Sequence, residues 1–523
     1  MSAPRLTADD AFQRRWWTLG VLCISLMVIG IDNTILNVAL PSIVKELHAQ
    51  GSDLQWIVDA YVLVFAGLLL TAGSLGDRFG RKRALTGGLV LFGVFSGLAS
   101  QATSPDTLIV CRGLMGIGGA FIFPTTLSIL TNTFHDPVER GRAIGIWAGV
   151  SGLGIVIGPL GGGLLLEHFS WGSVFLVNVP VCVIAILLGR KLIPESRDPA
   201  QSALDPIGAL LSIVALGGLL YGIIQAPDLG WGSGHVLGGI AVGAVVLATF
   251  LAWELHIEHP MLDIRIFANP RFSAASATIT LTYFAMFGST FLLTQYFQFV
   301  LGYSPLKAGF MTAPIAIGLM SCAPLAPRLV ERQGSKRVVL CGLVIVLAAL
   351  ALYGCDTVMS NVFLGGLVRA MFGAGIALTV APATESIMGS LPLARAGVGS
   401  AVNDTTRQTG GALGVAVLGS VFAARYHSVI GTAAVAPAAA RNAVRDSIGT
   451  ALDAAHGLSP AQGDAVRRLA DHAALTGMRL AYLIGVAFVI SAMVVCARYL
   501  PAHAAEPERQ DDRRIGEALT VAD

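Results

Sequence analysis

Gly76-Asp77-Arg78-Phe79-Gly80-Arg81-Lys82-Arg83 and Val330-Glu331-Arg332-Gln333-Gly334-Ser335-Lys336-Arg337 are nearly the same text, written twice about 254 residues apart. Each is a charged hinge set between long apolar runs. The likeness continues outward. Arg112-Gly113-Leu114-Met115-Gly116-Ile117-Gly118 opens one apolar run, and Arg369-Ala370-Met371-Phe372-Gly373-Ala374-Gly375 opens another. A chain that repeats itself at this spacing is built from two related halves.

The composition excludes an ordinary soluble domain. Hydrophobic residues make up 54% of the 523 residues and charged residues 13%, against about 25% charged in a typical soluble domain. A length near 20 apolar residues per crossing gives about fourteen spans: 16–40, 54–74, 84–103, 107–131, 141–166, 172–192, 205–226, 236–255, 272–300, 306–328, 337–356, 361–390, 397–424 and 475–499. With the first loop external, roughly 23 of the 34 Lys and Arg fall on the cytoplasmic side and about 8 outside, as the positive-inside rule expects. Both termini are then cytoplasmic. The repeated motifs in the fourth and twelfth spans lie eight spans apart rather than six. The expected fold is therefore all-α and polytopic: an N-terminal six-helix half (1–192), a linker and inserted helix pair (193–260), and a C-terminal six-helix half (261–500). The inserted pair has an acid only at its end, Glu254, and reads as a packing or lipid-facing element. Residues 425–474 are too polar to span. Val444, Ile448 and Leu452 recur at helical spacing and Ser459-Pro460 reads as a helix start, so an external helical hairpin lying against the membrane face is expected there. The charged tail 501–523 is expected to be cytoplasmic and disordered.

Other chemistries find little support. The net charge of +2 is not gathered into a basic face, so nucleic acid is not an expected partner. The seven cysteines lie singly in apolar stretches without metal-ligand spacing. His256-Ile257-Glu258-His259 lacks the spacing of HExxH. Arg14-Arg15-Trp16-Trp17 leads into a run too long for a signal peptide, and without a small-residue cleavage site, so it reads as an uncleaved first helix. No clustered His, Cys, Asp and Glu points to an enzyme.

Four motifs in order carry a resemblance that covers almost the whole chain. They are Asp32-Asn33-Thr34-Ile35-Leu36-Asn37-Val38-Ala39-Leu40-Pro41, the loop Gly73 to Arg83, Leu108 to Ala120 around Arg112, and Gly154 to Gly162 with Gly158-Pro159. Together they resemble the fourteen-helix drug:proton antiporters of the major facilitator superfamily, in particular the quaternary-ammonium-compound exporters. The resemblance implies proton-coupled export of lipophilic, often cationic, small molecules by alternating access across a bacterial-type inner membrane. The proton is the coupling ion, no cofactor is implied, and a monomer is expected. A dedicated exporter of one natural product (an antibiotic, siderophore or lipid) is an alternative the motifs do not separate.

The resemblance directs attention to the intramembrane charges. Asp32 lies nine residues from Pro41, about 13 Å along its helix. A charge at that depth faces a cavity or a partner, and Arg112, five residues into its own span, reaches the same level. A fixed ion pair and a proton switch both fit; movement of Arg112 would change the hold of Asp32 on a proton. In the related exporters the matching first-helix acid is implicated in coupling. Asp404 aligns with an acid implicated there in proton handling, and Arg407 shares its helix face. Asp59, near the outer end of its span, reads either as a guide for cations or as a solvated side chain, and Glu385 ranks below the other acids. No acid occurs between Lys307 and Glu331, which disfavours divalent organic cations. Gly73, Asp77, Arg78, Gly80, Arg81 and Arg83 form the gating motif, with Asp77 expected to cap or pair with a neighbouring helix end. The strip Gly145, Gly149, Gly154, Gly158-Pro159 and Gly161-Gly162-Gly163 is read as bare backbone for close helix approach, with Pro159 as a weak point. Phe284, Met286, Phe287, Phe291, Tyr296 and Phe297 crowd one span, where aromatic faces suit lipophilic cations.

Overall fold

In a computed structural model, which describes residues 14–197, 205–258, 260–355, 359–391, 396–431 and 441–501, the chain forms long helices joined by short turns. They are α1 (Arg15–Leu47), α2 (Gly51–Phe79), α3 (Arg81–Ala99), α4 (Pro105–Thr133), α5 (Pro137–His168), α6 (Ser173–Leu192), α7 (Pro206–Leu229), α8 (Gly234–His256), α9 (Pro270–Val300), α10 (Pro305–Cys322), α11 (Ser335–Tyr353), α12 (Val362–Met388), α13 (Ala396–Gly431) and α14 (Pro460–Tyr499). The expectation of about fourteen spans is met by these helices. Among the described residues, twelve helices are long and apolar enough to cross a membrane.

Local sequence explains where the helices begin. Ser104-Pro105, Asp136-Pro137, Asp205-Pro206, Asn269-Pro270 and Ser304-Pro305 each place a capping side chain before a proline that needs no hydrogen-bond acceptor. The repeated hinges share a backbone device as well. Gly80 (φ 118°) starts α3 and Gly334 (φ 83°) starts α11, a conformation that glycine adopts without steric cost.

The packing follows the repeat. α1 packs on α5, α2 on α4, and α4 on α3; α9 packs on α13, α10 on α12, and α12 on α11. The inserted helix α7 lies against both α2 and α13, with α8 on its far side and mostly exposed. α7 therefore covers the α2–α13 seam and α8 presents its apolar surface to lipid. Glu254 at the end of α8 is buried beside Asp205. Asp205 accepts from the Trp253 indole at 3.1 Å, and Glu254 accepts from the Leu262 amide at 2.9 Å.

The segment between α13 and α14 departs from the expected hairpin over 425–474. α13 runs on to Gly431 rather than ending at 424, and α14 begins at Pro460 rather than 475. At 40 residues, α14 is about 60 Å long, twice the hydrocarbon thickness. Among the described residues between α13 and α14, Arg441–Asp446 and Ile448–His456 form separate short helices. The apolar positions were read correctly: Val444, Ile448 and Leu452 are buried. They face protein rather than a membrane surface, because Gly449 sits directly on Val44 of α1 and Phe299 of α9. This cap closes one end of the bundle, called here the cap end. The opposite end carries Gly80 and Gly334 and is called the hinge end. Residues 432–440, the tail from 502 and His259 lie outside the described residues.

Candidate functional site

Between the two sets of helices lies a cavity of about 1270 Å³ counted with its open mouth. Its walls include residues of α1 (Asn33, Thr34, Asn37), α9 (Tyr283, Met286, Phe287), α10 (Thr312, Ile315) and α13 (Asp404, Arg407, Gln408), together with Phe65, Phe123 and Pro159. Large apolar walls with a few convergent polar groups are the usual character of a small-molecule site. Of the aromatic and sulfur side chains noted in α9, Met286 and Phe287 line the cavity; Phe284, Phe291, Tyr296 and Phe297 are buried between helices.

The expected meeting of Asp32 and Arg112 occurs, but away from the cavity. Asp32 Oδ2 accepts from Arg112 Nη1 at 2.5 Å, and Oδ1 accepts from Asn178 Nδ2 at 3.2 Å. Arg112 also donates to the Ile57 carbonyl at 3.0 Å and lies over the Tyr61 ring at 4.4 Å. Both charges are buried, and the neighbouring Asn33 takes the cavity-facing position. Substrate in the cavity therefore does not touch Asp32 in this state. The carboxyl that does face the cavity is Asp404. It sits 3.7 Å from Arg407, whose guanidinium lies 5.5 Å from the Tyr283 ring and donates to Thr384 Oγ1 at 3.2 Å.

Two other acids depart from expectation. Asp59 is fully buried rather than solvated, and neither carboxyl oxygen has a partner. One turn before it, Gln55 meets Ser420 of α13; one turn after it, Leu63 meets Gly217 of α7. Asp59 shares that helix face, so the neighbouring helices remove it from water. Glu385 is exposed near the hinge end, beside Arg271, and does not line the cavity.

The gating motif binds to itself and to the following linker. Asp77 does not pair with a neighbouring helix end. It accepts from Arg81 Nε at 2.7 Å, because an i,i+4 partner across the Gly80 turn is nearer than any helix terminus. Arg83 approaches Glu195 at 3.7 Å, Lys82 donates to the Arg190 carbonyl at 2.9 Å, and the Arg81 amide donates to the Ser196 carbonyl at 3.0 Å. Arg78 lies beside Phe79, and Gly73 packs on Pro124.

The glycine strip of α5 divides into two parts. A side chain at Gly154, Gly158 or Gly162 would strike Gly30, Thr34 or Ile35 of α1, and one at Gly163 would strike Leu306 of α10. Thr34 donates to the Gly154 carbonyl at 2.9 Å. Gly309 of α10 lies against the Pro159 carbonyl. By contrast Gly145, Gly149 and Gly161 have nothing within 4 Å of the place a side chain would take; for these three the expected close approach is absent. Gly161 turns away from both helices. Gly145 and Gly149 lie in the half of α5 nearer the hinge end, on a side that meets no neighbour, whereas Ala143 and Trp147 of the same half are buried and Trp147 donates to Thr126 of α4 at 3.2 Å.

Contacts between the two sets of helices gather at the cap end. Ser304 donates to Glu167 at 2.8 Å, Gln298 to the Val38 carbonyl at 2.9 Å, and Ser420 to Gln55 at 3.3 Å. The bundle is thus closed at the cap end, where α5 meets α10 through Gly163 on Leu306 and Pro159 on Gly309.

Paired helical repeats around a central cavity sealed at one end are the architecture of a membrane transporter. The chain belongs to the Major Facilitator Superfamily, whose family model matches residues 22–415. It is 36% identical over 489 residues to the multidrug efflux pump LfrA of Mycolicibacterium smegmatis, covering 92% of this chain and 95% of that protein. It is 34% identical over 419 residues to the tetracenomycin C resistance and export protein of Streptomyces glaucescens, covering 80% and 77%. Among solved structures, a bacterial homolog of the human lysosomal transporter Spinster, crystallised inward-facing and unoccupied, superimposes with a TM-score of 0.64 at 17% identity, covering 93% of this chain and 98% of that one. The motif-based resemblance to drug:proton antiporters of this superfamily is borne out by efflux pumps among the relatives.

Proposed function

We propose that the protein is a proton-coupled antiporter that exports lipophilic, often cationic, small molecules, and that the conformation described is open to the cytoplasm. The cap end is then external and the hinge end, rich in Arg and Lys, cytoplasmic. The observation that carries the reading is the pairing of Asp404 with Arg407 on the wall of an otherwise apolar, aromatic cavity. With Asp404 ionised, the pair is neutral and a cation can settle against Tyr283 and Phe287. With Asp404 protonated, Arg407 stands uncompensated and repels that cation. Proton and substrate therefore compete without sharing an atom. Asp404 is the sole carboxyl on the wall among the described residues, which favours one proton per monovalent cation. That exchange moves no net charge and draws about 1.4 kcal/mol per pH unit. A second proton would add about 2.3 kcal/mol per 100 mV. Asp32 and Arg112 hold α1 to α4 in this state, and their separation in another state would make Asp32 a second carrier.

The test uses inverted membrane vesicles with an acid lumen and ethidium as probe. The reading expects uptake that stops when an electroneutral potassium–proton exchanger collapses the pH gradient. Uptake that survives the collapse would contradict proton coupling. The alternative, a dedicated exporter of one natural product, is favoured by the relative named for tetracenomycin C. A deletion strain sensitised to one compound in a chemically diverse panel would establish it.

A further inference from the structure

Arg112 and Arg369 occupy matching places in the two repeats, yet their surroundings differ. Arg112 has a carboxylate, a carbonyl and an aromatic ring. Arg369 is equally buried, at 1% exposed, and has a ring but no acid. Its guanidinium lies 5.0 Å from the Phe297 ring, and Nη2 approaches Met311 Sδ at 3.8 Å. Nε and Nη1 have no acceptor, and the hydroxyl of Tyr353, which lies within electrostatic reach, has no partner either. α9 offers no Asp or Glu between Arg271 and Lys307, α10 none between Lys307 and Glu331, and α11 none at all. The structural counterpart of Asp32 is therefore missing from the helices that enclose Arg369.

A guanidinium withdrawn from water needs a negative partner. Here unused donors of a cation and a phenol lie buried within electrostatic reach of each other, and no protein acceptor among the described residues meets them. Arg369 does not line the central cavity, so substrate there does not supply the charge. We infer that Arg369 and Tyr353 form a buried site for a small monovalent anion, chloride being the abundant one, which does for the C-terminal helices what Asp32 does for the N-terminal ones. The ion is a resident of the packed helices rather than cargo.

The test is thermal unfolding of the purified full-length protein in detergent. Replacing gluconate by chloride at constant ionic strength is expected to raise the wild-type midpoint by about 3 °C, saturably, as a ligand specific to the folded state does. Bromide should act like chloride and sulfate should not. Arg369→Gln should lose the response and, in gluconate, melt no lower than wild type, because it removes an unbalanced charge. Identical wild-type midpoints in chloride and gluconate would overturn the inference, as would a full chloride response in Arg369→Gln. If that variant does not fold, anomalous scattering from bromide-soaked wild-type crystals decides: a peak beside Arg369 supports the site and its absence rejects it. None of these outcomes bears on the export reading.

Discussion

Asp32 and Arg112 form a buried ion pair, and such a pair is most informative when broken. Removing one partner strands the other charge at a typical cost of about 3–5 kcal/mol, whereas removing both is far milder. Asp32→Asn should therefore lower the unfolding midpoint of the purified protein, and Asp32→Asn with Arg112→Gln should recover most of it. A single variant as stable as wild type would mean that the pair does not hold α1 to α4. The meeting of these residues was legible in the sequence because depth along a helix follows from residue count. The direction in which Asp32 points was not. α1 is apolar on all sides, so nothing in the pattern fixes its rotation, and the choice between Asp32 and Asn33 as the cavity residue waits on packing. Asp59 illustrates the same limit: its distance from the helix end was readable, but the cover provided by α7 and α13 was not.

At the scale of elements, α5 shows how a glycine strip serves two purposes. A methyl added at Gly158 would press on Thr34 and the α1 backbone, and overpacking of this kind costs about 1–3 kcal/mol. Gly158→Ala should reduce the unfolding midpoint and efflux together, while Gly145→Ala, which meets nothing, should leave the midpoint unchanged; equal effects would refute the division of the strip. The cap supplies a second prediction. Asp446, in the short helix outside the spans, has its carboxyl pushed up to about 6, first by burial and then by nearby Asp228, against the opposing pull of His427. The docked cap therefore binds a proton more tightly than a released one, so its docking is favoured at low pH and weakens as pH rises from about 4 through about 6. Amide protection over 441–456, corrected for the base-catalysed rise of intrinsic exchange with pH, should be lower at pH 7.5 than at pH 5, and Asp446→Asn should abolish most of that difference in protection. The buried face of this cap was legible from the spacing of Val444, Ile448 and Leu452. Its site was not, because the partners Val44 and Phe299 lie 400 and 150 residues away or thereabouts.

For the whole molecule, the two repeated hinges disclosed the architecture before any contact was known, since hydropathy counts spans and a repeat pairs them. The conformational state lay beyond that reading, because a sequence encodes every state of the cycle at once. Here the cap end is fastened by Glu167 with Ser304 and by Gln298 with Val38. Cysteines introduced at 167 and 304 should form a disulfide that arrests efflux until it is reduced. Undiminished efflux with the bond formed would exclude opening at that end.

The account stands most directly on proton exchange at Asp404. Ethidium added to purified protein in weakly buffered solution should release protons from wild type and from the Asp32→Asn/Arg112→Gln protein, and none from Asp404→Asn that still binds the dye. Proton release from Asp404→Asn equal to that of wild type would contradict it.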